Sequence, residues 1–172
     1  MELREIQRPI KERYAETPDA ARITLRAVGN SGDSAMACSV DLGRAIYAAQ
    51  AHAGVGGEGS AACSGDLLLA ALAACAQLSC QMVATNMGIA LAGLEVSVEG
   101  DLDLRGTLGI APDAPVGFEA IRIGFAFDAP NVPEDRLQRL RERTERYCVV
   151  LQTLTTPPPI DATWDIASPS QD

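Results

Sequence analysis

The longest patterned stretch of the chain is apolar on every side. After Ser64, Gly65 and Asp66 comes LLLAALAACAQLSCQMVATNM, closed by Gly88. Ser64 suits an N-cap, Asp66 a first helical turn and Gly88 a stop. The pattern predicts one helix over about residues 65–87. A helix apolar all round has to be surrounded by protein, and its alanines let neighbouring backbones come close. Elsewhere the period is two. Residues 21–28 (ARITLRAV), 94–104 (LEVSVEGDLDL) and 119–127 (EAIRIGFAF) alternate and predict strands. Shorter strands are expected over 35–40 and 44–49, joined by Asp41, Leu42 and Gly43, and a last one over 160–166. Pro133 can open a helix reaching about 146, and 148–154 reads as a second short helix ended by Pro157, Pro158 and Pro159. Residues 1–20 read as a polar arm, 50–65 and 105–117 as loops, and 167–172 as a loose tail. Elements of one kind cluster instead of alternating, which predicts a single α+β domain over 21–166.

Composition narrows the classes. The chain has 172 residues, 47% hydrophobic and 22% charged, enough for one sizeable core and too apolar for disorder. The formal net charge of −9 disfavours nucleic acid and anionic membranes as partners. The opening MELREIQRPIKER has no apolar stretch to serve as a signal peptide. The longest uninterrupted apolar run, 67–76, is about half the ~20 residues of a membrane span. The expectation is a soluble cytoplasmic protein. A single histidine, His52, excludes sites built from several His ligands and reads as a loop residue without a role. Cysteines stand at 38, 63, 75, 80 and 148 without a CxxC pair, so free thiols are expected, either buried or reactive.

Several motifs carry candidate chemistry. Gly54-Val55-Gly56-Gly57-Glu58-Gly59 matches GxGxxG, but the helix starts several residues later and Glu58 would repel a pyrophosphate. It reads as a flexible loop near a site. Cys75 lies mid-helix among Leu68, Ala71, Leu72, Leu78, Ser79 and Met82, a setting that suits a core thiol or the wall of an apolar pocket. It lies too far into the helix for the dipole to activate it. Cys80, five residues on, is beyond disulfide reach on a regular helix. A partner for Cys75 would therefore come from far along the chain, Cys148 or Cys38. Cys63 precedes the helix, where the dipole could lower its pKa, and is the second candidate for a reactive thiol. Asp66 falls on the opposite helix face from Cys75, so a direct pairing would require a kink. Arg136, Arg139, Arg141, Arg143 and Arg146, interspersed with Glu134, Glu142 and Glu145, read as a solvated, salt-bridged face.

The segment SGDLLLAALAACAQLSCQMVA, followed by ERYCVVLQTL, resembles the OsmC/Ohr family of osmotically inducible protein C and organic hydroperoxide resistance proteins. That pattern is an LLLAALxAC helix and then a second cysteine at a helix junction. DLDLRGTLGI and GVGGEGSAACSGD resemble one OsmC-like branch. The resemblance covers roughly 21–166. It implies an intertwined α+β homodimer with the long helices central and each sheet wrapping the other chain. It also implies thiol-dependent reduction of organic hydroperoxides to alcohols, with no cofactor and no metal. Cys75 matches the peroxidatic cysteine, which becomes a sulfenic acid, and Cys148 the resolving cysteine. An external dithiol then restores both. Better-known members carry a Glu near the start of this helix that holds a catalytic Arg. Here Asp66 is the nearest match, with Gly65 before it, while Arg44 (in VDLGRAIYAA) is the favoured arginine and Arg26 (in ITLRAV) the alternative. Two other classes fit the same chain: a non-catalytic binder of small apolar ligands in the dimer pocket, and a redox sensor signalling through Cys63 or Cys75.

Overall fold

The computed structural model describes residues 3–31, 38–41, 49–57, 59, 62–164 and 166, with side chains over 8–23, 51–57, 59, 62–164 and 166. Its elements are α1 (Leu3–Glu16), β1 (Arg22–Ser31), β2 (Cys38–Asp41), β3 (Ala49–Gln50), β4 (Ala62–Cys63), α2 (Ser64–Asn86), β5 (Ala92–Asp103), α3 (Leu104–Thr107), β6 (Ala120–Asp128), α4 (Glu134–Tyr147) and α5 (Val149–Thr155). The order β2-β1-β5-β6 makes an antiparallel sheet, and β3 pairs with β4 in a two-residue parallel ladder. The α+β class follows from this mixture of helices with an antiparallel sheet.

The long helix organises the core. Leu69, Leu72, Ala73, Ala76 and Cys80 of α2 are buried against Leu94, Val96 and Val98, the inward-facing residues of β5. Strand alternation explains that choice, since residues two apart share a face. Helices α4 and α5 pack on α2 and contribute Leu140 and Cys148 to the same cluster. By length and composition α2 could cross a bilayer, contrary to the run-length reading. Half of its most apolar stretch is nevertheless buried inside the protein, where it forms the core.

Three local expectations change. The segment read as a polar arm forms α1, and its Tyr14 anchors a second small cluster with Ala21, Leu104 and Leu108. The helix α2 is capped by Cys63 and not by Ser64. No strand forms over the described part of 160–166; residues 157–164 carry no regular structure. A strand needs a hydrogen-bonded neighbour, and the described residues of this chain provide none for that segment. The expected strands over 35–40 and 44–49 lie partly outside the described residues, where only β2 and β3 are seen.

The glycine run has a packing role. The Tyr14 hydroxyl donates to the Gly54 carbonyl oxygen at 2.7 Å, and the Gly54 N–H donates to His52 Nδ1 at 2.9 Å. Gly56 sits at φ 96°, and a Cβ on Gly57 would fall 1.7 Å from the Ala51 carbonyl oxygen. These glycines serve a tight backbone turn pinned to α1. His52 works in that turn as an acceptor.

Candidate redox site

The site begins at a bend between two helices. α4 ends at Tyr147, and Cys148 leaves the helical region at φ −76°, ψ 100° before α5 resumes at Val149. That bend turns Cys148 inward, where it is 1% exposed. Its thiol is near enough to the Cys75 sulfur, in the same buried cluster, for the two groups to interact. Cys75 is half-buried on α2, against the same cluster. Two thiols far apart in the chain therefore meet, and both are reduced.

Burial pushes Cys148 up to about 11, and the hydrogen bond and charge of the Cys75 sulfur push it further in the same direction. The Leu151 and Val150 amides at the start of α5 act against this without cancelling it. Cys148 is accordingly held as the thiol at neutral pH. The low-dielectric surroundings penalise its charged form, while the thiol form keeps a sulfur acceptor.

The other candidates fall into place differently. Asp66 is engaged at the start of its own helix: the Cys63 N–H donates to Asp66 Oδ2 at 2.8 Å, and the Cys63 sulfur accepts from the N3 amide. That is a capping box. Between Asp66 and Cys75 α2 is continuous, which separates them by ~13.5 Å along the axis and places them on opposite faces. The structure does not bring these two together. Arg44 lies outside the described residues. Arg26 stands in β1, opposite Glu99 of β5 in the strand register, and its side chain lies outside those described.

Cys63 is a correction to the dipole argument. Its thiol is buried and its pKa is raised, chiefly by burial and also by the Asp66 carboxylate, against the lowering pull of the helix amides. The helix N-terminus does act on it, but desolvation wins. Cys80 is also buried and raised, with the Thr144 hydroxyl beside it acting in the lowering direction. Cys38 lies in β2, and its side chain is outside those described. The arginine-rich helix is a solvated face as expected, with exposed ion pairs Arg139–Asp135 and Arg141–Glu134.

One partner of a named neighbour was not legible in the sequence. Ser79, buried on α2 one turn after Cys75, donates through its hydroxyl to the Tyr147 carbonyl at 3.4 Å. A hydroxyl four residues after a cysteine on the same helix, one turn on, was the available signal.

An antiparallel sheet laid on a long buried helix, with a thiol of that helix meeting a second thiol at a helix bend, defines an α+β protein with a dithiol site. The chain belongs to the OsmC-like protein family, whose profile matches residues 57–163, a span that contains both cysteines. Among solved structures, it is similar to an OsmC-like hydroperoxide resistance protein from Jannaschia sp. CCS1. The TM-score is 0.62 at 19% identity, over 85% of this chain and 95% of that one. At that identity the likeness establishes the fold alone. Comparison with curated proteins found no match.

Proposed function

We propose that this protein is a thiol-dependent peroxidase that reduces organic hydroperoxides to alcohols. The observation carrying this reading is the contact between Cys75 and a protonated Cys148, across a long stretch of sequence. The Cys75 thiolate attacks the distal peroxide oxygen; the O–O bond breaks, and the alkoxide takes a proton to leave as the alcohol. Cys75 is then a sulfenic acid. Cys148 attacks its sulfur, the S–S bond forms, and the sulfenic oxygen leaves as water with the Cys148 proton. An external dithiol returns the pair to the reduced state by exchange. In this reading the cation that favours the Cys75 thiolate is Arg44, with Arg26 as the alternative, and Asp66 acts at the helix start. The family also supports this reading, because a solved structure similar to this chain is that of an OsmC-like hydroperoxide resistance protein.

The test is to treat the reduced protein with one equivalent of an organic hydroperoxide and map its disulfides by mass spectrometry without reductant. A rapid Cys75–Cys148 linkage is expected. Peroxide that persists beside a reduced Cys75 would remove the peroxidase reading. A second reading would then lead, a binder of small apolar molecules. It is favoured by a cavity of 390 Å³ lined by Ile23, Leu68, Leu102, Leu104, Val116 and Phe118.

The working unit in this proposal is a cytoplasmic homodimer. Its support is the segment after the three prolines, which has no strand partner among the described residues. Ile160, Ala162, Trp164 and Ile166 alternate with Asp161, Thr163 and Asp165, the pattern of a half-buried strand. Yet Ile160, Trp164 and Ile166 are 87%, 82% and 79% exposed in the single chain. A second copy can supply the missing neighbour. Trp164 is the only tryptophan, so its emission reports directly. Light scattering should give twice the chain mass, with blue-shifted Trp164 emission that moves to the red on dilution below the dissociation constant. Monomer mass at micromolar concentration, with water-exposed emission throughout, would rule the dimer out.

A further inference from the structure

The bend that carries Cys148 has a backbone problem. Where α4 stops, its last carbonyls lose their in-helix donors. Two side chains supply replacements. Gln152 Nε2 donates to the Glu145 carbonyl at 3.0 Å, from α5 back to α4. The Ser79 hydroxyl donates to the Tyr147 carbonyl at 3.4 Å, and this bond comes from α2, the helix that carries Cys75. Ser79 is 4% exposed, so no bulk water competes for the bond. Tyr147 immediately precedes Cys148, and Ser79 lies one turn beyond Cys75. The Ser79 bond thus fastens the final turn of α4 to α2 beside the two thiols.

We infer that Ser79 is a positioning residue for the resolving cysteine: its hydrogen bond to the Tyr147 carbonyl holds the α4–α5 bend at the distance from which Cys148 reaches Cys75. The inference deepens the dithiol reading of the site and rests on the Cys75–Cys148 pair reacting. Disulfide geometry makes such a hold consequential. The bridge requires Cα atoms ~4.4–6.8 Å apart and a narrow range of S–S torsion, so a bend free to swing spends less time in register. During turnover a loose bend has a second consequence. A sulfenate left unresolved attacks another peroxide through its sulfur, breaks the O–O bond, releases the alcohol and becomes a sulfinate.

The experiment compares wild type, Ser79→Ala and Ser79→Thr, each with intact secondary structure by circular dichroism. First, the Cys75–Cys148 disulfide is equilibrated against reduced and oxidised glutathione, which involves no peroxide. Ser79→Ala should lower the equilibrium constant for disulfide formation about tenfold, equivalent to about 30 mV, and Ser79→Thr should restore most of it. Second, under excess organic hydroperoxide, Ser79→Ala should form sulfenic acid at the wild-type rate but accumulate several-fold more Cys75 sulfinic acid. A merely structural role would not move that partition. Glutathione constants equal within twofold for wild type and Ser79→Ala would overturn the inference, as would a wild type that forms no Cys75–Cys148 disulfide. A glutathione effect without any sulfenic acid in wild type would keep the positioning role and overturn the peroxidase reading instead.

Discussion

Cys75→Ser will lower organic hydroperoxide reduction by about 10³-fold or more, because serine offers no thiolate nucleophile at neutral pH. Cys148→Ser will behave differently. Its first turnover should proceed at the wild-type rate, since Cys75 still attacks the peroxide. Turnover should then slow sharply, because the external dithiol must reach a half-buried sulfenic acid without help. Cys75 should also progress to sulfinic acid under excess peroxide. Stopped-flow peroxide consumption with a dithiol reductant separates the two variants, and mass spectrometry reads the oxidation state. The division of labour would be refuted by a Cys75→Ser protein of wild-type activity, or by a Cys148→Ser protein whose first turnover is lost. Both substitutions replace one sulfur with oxygen, so neither should create a large cavity.

The rate of disulfide formation will climb about tenfold per pH unit, close to a hundredfold between pH 7 and pH 9. Burial is the largest cause of the raised Cys148 value and persists when Cys75 is a sulfenic acid, so in that range its thiolate is scarce and its fraction grows in proportion to hydroxide. The sulfenic acid would be formed in a first mixing step and disulfide formation followed in a second at each pH. A flat profile from pH 7 to pH 9 would mean that Cys148 is already ionised and that burial is not governing it. The same shift bears on stability. The folded-state value lies above the ordinary thiol value of 9.0, so the folded protein holds this proton longer than the unfolded chain. Its stabilising contribution is complete below about pH 9 and is lost as pH rises through about 11. Cys63 and Cys80, raised by burial, act in the same direction. The kinetic window therefore lies on the stable side of that loss.

Much of the scaffold was legible because it depends on local periodicity. The all-round apolar character of 65–87 marked α2 as a buried helix, and the alternation of 94–104 and 119–127 marked β5 and β6. Helix and strand periods are written in consecutive side chains, so they survive without knowledge of the neighbours. Two prolines and a polar composition hid the α1 helix, which among its described side chains fully buries Tyr14 alone. The last strand was read too readily. Residues 160–166 have the alternation, but alternation specifies a face and not a partner, and the described chain offers no strand beside it.

The candidate site divides along the same line. The sequence by itself determined which thiols could act: no CxxC, a Cys75 too deep in its helix for the dipole, a Cys80 out of disulfide reach, and a remote Cys148 or Cys38 as the available partner. The family pattern then singled out Cys148. Only the tertiary structure decided that Cys148 turns inward at a bend, joins the buried cluster beside Cys75 and is held protonated by burial. It also decided that Cys63 and Asp66 are occupied with each other at the start of α2. The physical reason is that spacing along one helix fixes angle and rise, which is enough to exclude contacts. Contacts between elements, and the desolvation that sets a thiol's pKa, arise only when those elements pack.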